Sequence, residues 1–483
     1  MEFSRAKIAM LQSSFTEWLI DSDPQFFNNK CILFESKEFE TAKDLDFALS
    51  DLKNVEAALE LWSPVFMRRI ASWHKHEIIK KSLCFQILIW KERLEKFDCK
   101  IALFETAASH HLETLSFEIA CDLIGIRKIF LSHTSFTGRL IPICQIGSYA
   151  NRSILDIELS DWSLDKQRMD LHSNFWKSRT SLQNRQETWF VYFYFVLLGK
   201  SLRTTLKLMW LLGKGVSYQT SINTTSQTLD SKLADIFGYR VCDEYRIYRT
   251  QISALKFLKR SNRLSEKILA KESFINSDRQ VFILYANFQP ESSSFPLGGT
   301  YTSHIDVVLR IREKFPDAQI FYIEHPHVNR LVVRGSGSRV GLARSIQYYK
   351  ILQRLGCYIL SSKSSYATDL KLSCGALHVT ISGNIAIERA LRGQITLIAG
   401  CPWFKGLPGT ILLDDFISGS NFDNVAEDNL KSLAQAWILS VHNKKTLAQP
   451  DWSILNKERD KNEAYFEDLK TLVAKLTSTK IVS

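Results

Sequence analysis

Apolar and polar positions along this chain of 483 residues fall into two kinds of block. Over residues 1–158, short apolar runs alternate with segments of helical period, as in the succession KIALFET, LETLSFEIACDLIGI and RKIFLSHTS. A strand, a helix and a second strand in that order predict a parallel sheet, because parallel strands need a crossover connection. We therefore predict an α/β domain over residues 1–158.

A second block of the same kind covers residues 276–422. It begins where the apolar run VFILYAN follows a polar stretch, as expected for a buried parallel strand. The segments that follow alternate mainly between helical and strand character: HIDVVLRIREKF, AQIFYIEHP, ARSIQYYKILQRLG, CYILSS, ALHVTIS, NIAIERALRG and ITLIAG. Residues 159–275 predict a helical connector, and residues 423–483 predict helices that pack back on the first domain. The expected architecture is two α/β halves with a cleft between them.

Composition and residue spacing limit the classes of protein to which this chain can belong. The chain is 45% hydrophobic, enough for a large core. Its longest apolar run, residues 189–198, is about half of the roughly 20 residues that a membrane-spanning helix needs. The start of the chain lacks the pattern of a secretion signal, so we expect a cytoplasmic protein. The nine cysteines lack CxxC spacing and are expected to be reduced thiols without zinc.

The net charge of +11 indicates an anionic partner, which could be a lipid surface, a nucleic acid or a nucleotide-linked substrate. The sequence lacks a basic block and zinc-finger or RNA-recognition spacing, so we expect no nucleic-acid partner. Residues 200–214 predict a helix with lysines and arginines on one face and Leu202, Leu206 and Trp210 on another. Peripheral contact with the inner membrane and ordinary core packing with solvated lysines both remain open for this helix.

Polar side chains follow three predicted strands of the second block. Gln289, Pro290 and Glu291 come after VFILYAN, His325 comes after FYIE, and the turn Ser382-Gly383-Asn384 comes after HVTI. The carboxyl ends of parallel strands meet at one edge of a sheet, where ligands bind. A carboxylate, an imidazole and a glycine-containing turn at that edge predict a site for a phosphate-bearing ligand.

Each of these residues also has a structural interpretation. Glu291 could order its loop, and His325 could be a buried histidine with satisfied hydrogen bonds. Glu388 lies one turn into the next helix, where it could reach a ribose diol or simply be solvated. Glu324 could orient the imidazole of His325, although adjacent strand residues point to opposite faces.

The first block has its own strand-end residues. Glu105 ends the run KIALFE and precedes a polar loop that contains His110 and His111, and His133 and Arg139 lie in a second predicted loop over residues 132–139. These residues predict an acid or base and anion-binding groups on the acceptor side, with surface solvation as the alternative. The paired histidines lack further ligands at metal spacing, so we expect no zinc.

The segments YANFQPESSSFPLGG, IEHP, ARSIQYYKIL and TISGNIAIERALRG resemble the capsule polysaccharide biosynthesis family, which is similar to bacterial transferases of Kdo and related ulosonic acids. The resemblance covers most of residues 281–409, and it is weaker in the first block. It implies a GT-B-like pair of Rossmann-type domains facing a cleft. CMP would bind to the C-terminal domain and a glycan or lipid-linked acceptor to the N-terminal one.

The resemblance also implies roles for individual residues. His325 would contact the CMP phosphate, Gln289 and the turn 382–384 would help hold the nucleotide, and Glu388 would bind the ribose. Glu291 falls where relatives carry an acidic residue that acts at the anomeric carbon, although those relatives tend to use Asp. The CMP-sugar would be a substrate, and neither a cofactor nor a metal is expected. A non-catalytic assembly or export partner, and a transferase or epimerase that uses a UDP-sugar, remain alternatives.

Overall fold

A computed structural model describes most of both predicted blocks. The described residues are 7–34, 52–59, 76–106, 112–134, 139–147, 151–156, 159, 241–270, 279–288, 297–326, 328, 344–362, 364–372, 375–419, 427–448 and 463–478. The strands are β1 (Lys7–Leu11), β2 (Cys31–Phe34), β3 (Cys99–Phe104), β4 (Arg127–His133), β5 (Arg139–Gln145), β6 (Ser153–Ile154), β7 (Val281–Tyr285), β8 (Gln319–Ile323), β9 (Cys357–Leu360), β10 (Leu377–Thr380), β11 (Thr396–Ile398), β12 (Thr410–Leu412) and β13 (Leu447–Ala448). The helices are α1 (Ser14–Ser22), α2 (Pro24–Lys30), α3 (His76–Lys96), α4 (Leu112–Leu123), α5 (Val241–Leu269), α6 (His304–Lys314), α7 (Ile346–Arg354), α8 (Ser365–Leu372), α9 (Ile385–Ala390), α10 (Leu413–Ser418), α11 (Glu427–Lys445) and α12 (Glu463–Ser478).

The first sheet has the strand order β13-β5-β4-β3-β1-β2, with β6 paired to β5. Strands β2, β1, β3 and β4 are parallel, as predicted. Strand β5 is antiparallel to β4, so Arg139 begins a strand and does not lie in the predicted loop. The link from His133 to Arg139 is too short for the crossover that a parallel pair requires, so the chain forms a hairpin.

Both faces of the first sheet are covered, which explains why its strands are almost continuously apolar. In β1, Ala9 packs with the cluster formed by α3 and α4, whereas Ile8 and Met10 pack with α1, α2 and α12. The C-terminal helix α12 therefore packs on the first sheet. The exact bounds of the four predicted segments stay predictions.

The second sheet is entirely parallel, with the order β12-β11-β10-β7-β8-β9. Counted along the chain this is 3-2-1-4-5-6, the order of doubly wound sheets that bind dinucleotides. Helices α5, α6 and α7 cover one face, and α8 covers part of the other. The prediction of a mixed α/β protein with two mainly parallel sheets is confirmed.

The two sheets are joined by apolar packing. Ile141 and Ile143 of β5 lie in one cluster with Ile387 of α9 and Ile438 of α11. Leu297, from the connection after β7, packs in a core cluster of the first sheet. In the described part of the chain no helix is both long and apolar enough to cross a bilayer. The predicted basic helix over 200–214 lies outside the described residues.

Candidate functional site

The strand order of the second sheet reverses between β7 and β10. In doubly wound sheets such a reversal opens a crevice at the carboxyl ends of the two strands, and ligands bind there. Asn287 follows β7, and its Nδ2 donates a hydrogen bond of 3.1 Å to Oγ of Ser382, which follows β10. Thr380 Oγ1, at the end of β10, donates to Asn287 Oδ1 over 3.3 Å. These bonds tie together the two strand ends that border the crevice.

The turn Ser382-Gly383-Asn384 has close backbone packing. The backbone N–H of Gly383 donates to Thr380 Oγ1 over 3.0 Å. A Cβ at position 383 would lie 2.6 Å from the same oxygen, so only glycine fits without a shift. Asn384 is the N-cap residue of α9, but its side chain makes no capping hydrogen bond.

We expect Gly383→Ala to lower the free energy of unfolding by about 1–3 kcal/mol, because an added methyl group must displace a hydroxyl that already holds two hydrogen bonds. Urea unfolding followed by circular dichroism measures this change. Gly375→Ala is the matched control, since a Cβ there meets no atom within 4 Å. Equal midpoints for the two variants would contradict the packing described for this turn.

Glu388 lies one turn after Asn384, as predicted, but it is buried at 8% exposure. Its neighbours on α9 from Ala386 to Ala390 are buried as well. The alternative of a solvated helix carboxylate is therefore wrong. Binding of a ribose by Glu388 stays a prediction.

Glu324 is the centre of a buried polar network. Its carboxylate accepts hydrogen bonds from Arg344 Nε at 2.9 Å, Tyr349 Oη at 2.8 Å and Tyr322 Oη at 3.1 Å. It also accepts the backbone N–H of His325 at 2.7 Å. The prediction was that Glu324 could orient the imidazole of His325, but the contact found here is with the backbone. Glu324 and Arg344 are each only 2% exposed. An ion pair this deeply buried needs such additional hydrogen bonds to be tolerated.

Arg344 connects this network to the crevice. Its Nη2 donates to the backbone oxygen of Asn287 over 2.9 Å, and its guanidinium lies 4.8 Å from the ring centroid of Tyr348. Asn287, which borders the crevice on the β7 side, is thus held by Arg344, and Arg344 is itself fixed by Glu324. Asn287, His304 and Arg344 were not among the predicted site residues.

His304 has a defined tautomer in this network. The backbone N–H of Asn287 donates to its Nε2 over 2.8 Å, so Nε2 must be unprotonated. The ring proton of the neutral imidazole is then on Nδ1 and is donated to Tyr348 Oη at 3.1 Å. Tyr348 donates in turn to Tyr322, which donates to Glu324. Burial, with the nearby charge of Arg344, lowers the pKa of His304 well below its usual value, which is consistent with a neutral ring.

We expect the stability of the protein to fall relative to that of His304→Gln as the pH is lowered below about 6.5, because the unfolded chain then protonates His304 while the folded chain does not. The loss contributed by this residue should reach about 1.4 kcal/mol per pH unit. Urea unfolding between pH 7 and pH 5 measures it, with His304→Gln as the reference. Asp122, whose pKa burial raises to about 6, contributes a trend of opposite sign in both proteins. Identical pH profiles for wild type and variant would exclude a neutral buried His304.

His325 follows β8, next to the crevice. Its backbone is held by Glu324, its ring centroid lies 5.6 Å from that of Phe288, and the side chain is half-buried. It thus combines a fixed backbone with partial access to solvent. Gln289, Pro290 and Glu291 lie outside the described residues, so their predicted roles stay predictions.

The first sheet also has a point at which its strand order reverses. Its parallel strands run in the order β2-β1-β3-β4, which reverses between β1 and β3. Ser13, the N-cap of α1 after β1, donates a hydrogen bond to Glu105 after β3. Burial and the charge of Glu105 raise the pKa of Tyr465 on α12. Glu105 therefore lies at the reversal point of the first sheet.

The remaining acceptor-side candidates lie on the β4–β5 hairpin or outside the described residues. His133 ends β4 and is exposed, and the backbone oxygen of Arg139 accepts bonds from the N–H and Oγ1 of Thr134. His110 and His111 are not described. Within the described ranges no group of three or more His, Cys, Asp or Glu side chains is arranged to hold a metal.

Neither a protein-family model nor a curated protein matches the sequence. Among solved structures, the chain is similar to the Thermosulfurimonas dismutans KpsC, a beta Kdo 2,7 transferase, at 10% identity and a TM-score of 0.30 over 89% of this chain and 90% of that one. It also matches the S. aureus MnaA–UDP structure at 10% identity and a TM-score of 0.16, over 98% and 96% of the two chains.

Proposed function

We propose that this protein is a glycosyltransferase that binds a CMP-activated ulosonic acid in the crevice between β7 and β10. The observation that supports this most is the bond between Asn287 and Ser382 at the reversal point of a 3-2-1-4-5-6 sheet. Nucleotides bind to sheets of this order at that point, where loops and backbone N–H groups meet the phosphate. The resemblance of the same segments to the capsule polysaccharide family agrees with this ligand.

Transfer of the sugar from CMP requires two kinds of side chain in the site. Cleavage of the bond between CMP and the sugar builds negative charge on the phosphate and positive charge on the anomeric carbon. In this proposal His325 donates a hydrogen bond to the departing phosphate, with its backbone fixed by Glu324. Glu291 acts near the anomeric carbon as nucleophile, base or stabilising charge. Gln289, Ser382, Gly383 and Asn384 hold the nucleotide, and Glu388 holds the ribose.

The acceptor is a glycan or lipid-linked glycan, and in this proposal it binds to the first sheet. Glu105 would serve as an acid or base there, and His110, His111, His133 and Arg139 would bind its anionic groups. The two halves would then act as the two domains of a GT-B transferase, in the cytoplasm, with peripheral membrane contact through residues 200–214. The product would be a capsule or other surface polysaccharide. A single phosphate in the leaving group does not require a metal.

A nucleotide screen tests this proposal. Thermal unfolding of the full chain is followed in the presence of CMP, UDP or GDP, and we expect CMP to stabilise the protein most. Transfer from CMP-Kdo to a lysate glycan, detected by mass spectrometry, then tests turnover. Preferential stabilisation by UDP would favour a UDP-sugar transferase or epimerase. Binding of CMP without transfer from any CMP-ulosonate would favour a non-catalytic assembly partner.

A further inference from the structure

Helix α5 has one face that packs on the second sheet and one that points away from it. Ala254 lies in the core cluster of that sheet. Ser265 Oγ accepts the backbone N–H of Ile359 in β9 over 3.0 Å. Asn262 Oδ1 accepts the N–H of Ser361, just after β9, over 2.7 Å. Because β9 is the last strand of the sheet, these bonds cover its free edge, and they fix the rotation of α5 about its own axis.

The opposite face of α5 carries a row of cations. They are Lys256, Lys259, Arg260, Arg263 and Lys267, and all five are exposed. With about 3.6 residues per turn, these side chains lie within an arc of about 100°, and that arc is centred opposite Ala254. The row extends over about 16 Å of the helix.

The charges of this row are not balanced within the part of the chain that the structure describes. None of the five cations is joined there to an acidic side chain by a salt bridge or a hydrogen bond. Glu266 is the one acidic residue in the stretch 251–269, and its Oε1 accepts the hydroxyl of Ser364 over 2.7 Å. A helix face that is simply solvated usually carries charges of both signs, which pair along it. A face of one sign indicates an anionic partner.

Helix α7, beside α5, carries the same sign of charge. The two helices are joined by a hydrogen bond of 3.0 Å from Gln353 Nε2 to Ser261 Oγ. Lys350 and Arg354 of α7 are exposed, and the sequence of this helix, IQYYKILQR, contains no acidic residue. The cations of α7 therefore add to the basic character of this layer of helices.

The residue types on this face favour a lipid surface over other anions. The exposed residues of α5 between 253 and 269 include no aromatic ring on which a nucleic-acid base could stack. Three of the five cations are lysines, which are depleted at protein–protein interfaces. Leu264, one turn after Arg260, is 55% exposed and can enter the headgroup region of a bilayer. Clusters of about four to eight Lys and Arg on a helix are typical of contact with anionic phospholipids.

We infer that the outer face of α5, together with the exposed cations of α7, binds an anionic phospholipid bilayer. The contact is mainly electrostatic, because the apolar face of α5 already packs on the second sheet. This surface is not the one proposed for residues 200–214, and it belongs to the second sheet itself. The inference is also independent of the nucleotide site, since the crevice between β7 and β10 contains none of these cations.

Sedimentation of the full chain with lipid vesicles tests the inference. We expect binding to vesicles of equimolar phosphatidylglycerol and phosphatidylcholine at about 50 mM salt, and at least about tenfold weaker binding at about 500 mM salt, because salt screens exposed charges. Vesicles of phosphatidylcholine alone should bind at least about tenfold more weakly, because they lack net charge. The triple variant Lys256→Gln, Lys259→Gln, Arg263→Gln should weaken binding to the anionic vesicles at least about tenfold. Its unfolding midpoint should stay that of wild type, since the three side chains are exposed.

The matched control is a second triple variant, Lys7→Gln, Lys96→Gln, Lys431→Gln, whose lysines are exposed on β1, α3 and α11. It lowers the net charge by the same amount and should bind the anionic vesicles as wild type does. Absence of binding, equal binding to both kinds of vesicle, equal weakening by the two triple variants, or tighter binding to a short DNA duplex would each overturn the inference. Neither variant changes the crevice, so thermal unfolding with CMP distinguishes this outcome from a failure of the nucleotide site.

Discussion

Replacing Glu324 with alanine should lower the free energy of unfolding by about 3–5 kcal/mol, which is the usual cost of removing one partner from a buried ion pair. Arg344 would keep its charge at 2% exposure without the carboxylate that now accepts its Nε. Tyr322, Tyr349 and the backbone N–H of His325 would lose their acceptor as well. Urea unfolding followed by circular dichroism measures the effect.

Glu313→Ala is the matched control for this experiment. Glu313 pairs with Arg310 on the surface of α6 and is 67% exposed, so its removal should leave the unfolding midpoint nearly unchanged. If Glu324→Ala unfolded at the same urea concentration as the control, the network around Glu324 would not contribute to the stability of the second sheet.

Replacing His325 with alanine should reduce transfer from a CMP-ulosonate by about a hundredfold or more, because general acid catalysis and charge stabilisation contribute effects of this size. The unfolding midpoint should change little, since Glu324 binds the backbone of His325 and that bond survives the substitution. Turnover is measured by mass analysis of the product. Glu291→Gln should lower turnover to a similar extent.

His442→Ala serves as the control for turnover. His442 lies on α11 and has no role in the proposed reaction. Rates within a factor of about two of wild type are expected for it, because the substitution lies outside the proposed site. Wild-type rates for both His325→Ala and Glu291→Gln would reject the catalytic assignment.

The elements of the second sheet could be predicted because its strands are buried on both faces. These strands, such as VFILY, QIFYI and LHVT, are short and apolar, and helices of regular period separate them. The hydrophobic pattern therefore predicts their positions. In the first sheet, the antiparallel β5 was missed, because its apolar run does not distinguish a hairpin from a crossover. Only the length of the link after His133 carried that information.

The candidate site was predictable only in part. His325 and Ser382, which lie beside the crevice, were predicted because they follow apolar strands. Asn287 was not predicted, because its partner Ser382 is 95 residues away in sequence. The network around Glu324 joins residues 20 to 25 positions apart, through Tyr349 of α7 and Arg344 just before that helix. Hydrophobic periodicity predicts the face of a helix or strand on which a residue lies. It does not predict which strands are neighbours in a sheet. Strand order therefore had to come from the structure.

The central claim is that a cytidine nucleotide binds between the ends of β7 and β10. Photolabelling tests it most directly: the full chain is irradiated with CMP that carries an azide on its base, and the labelled peptides are mapped by mass spectrometry. We predict labelling that excess CMP prevents, within residues 285–300 after β7 and residues 380–392 after β10. Labelling of the first sheet, or labelling that CMP does not reduce, would contradict the claim.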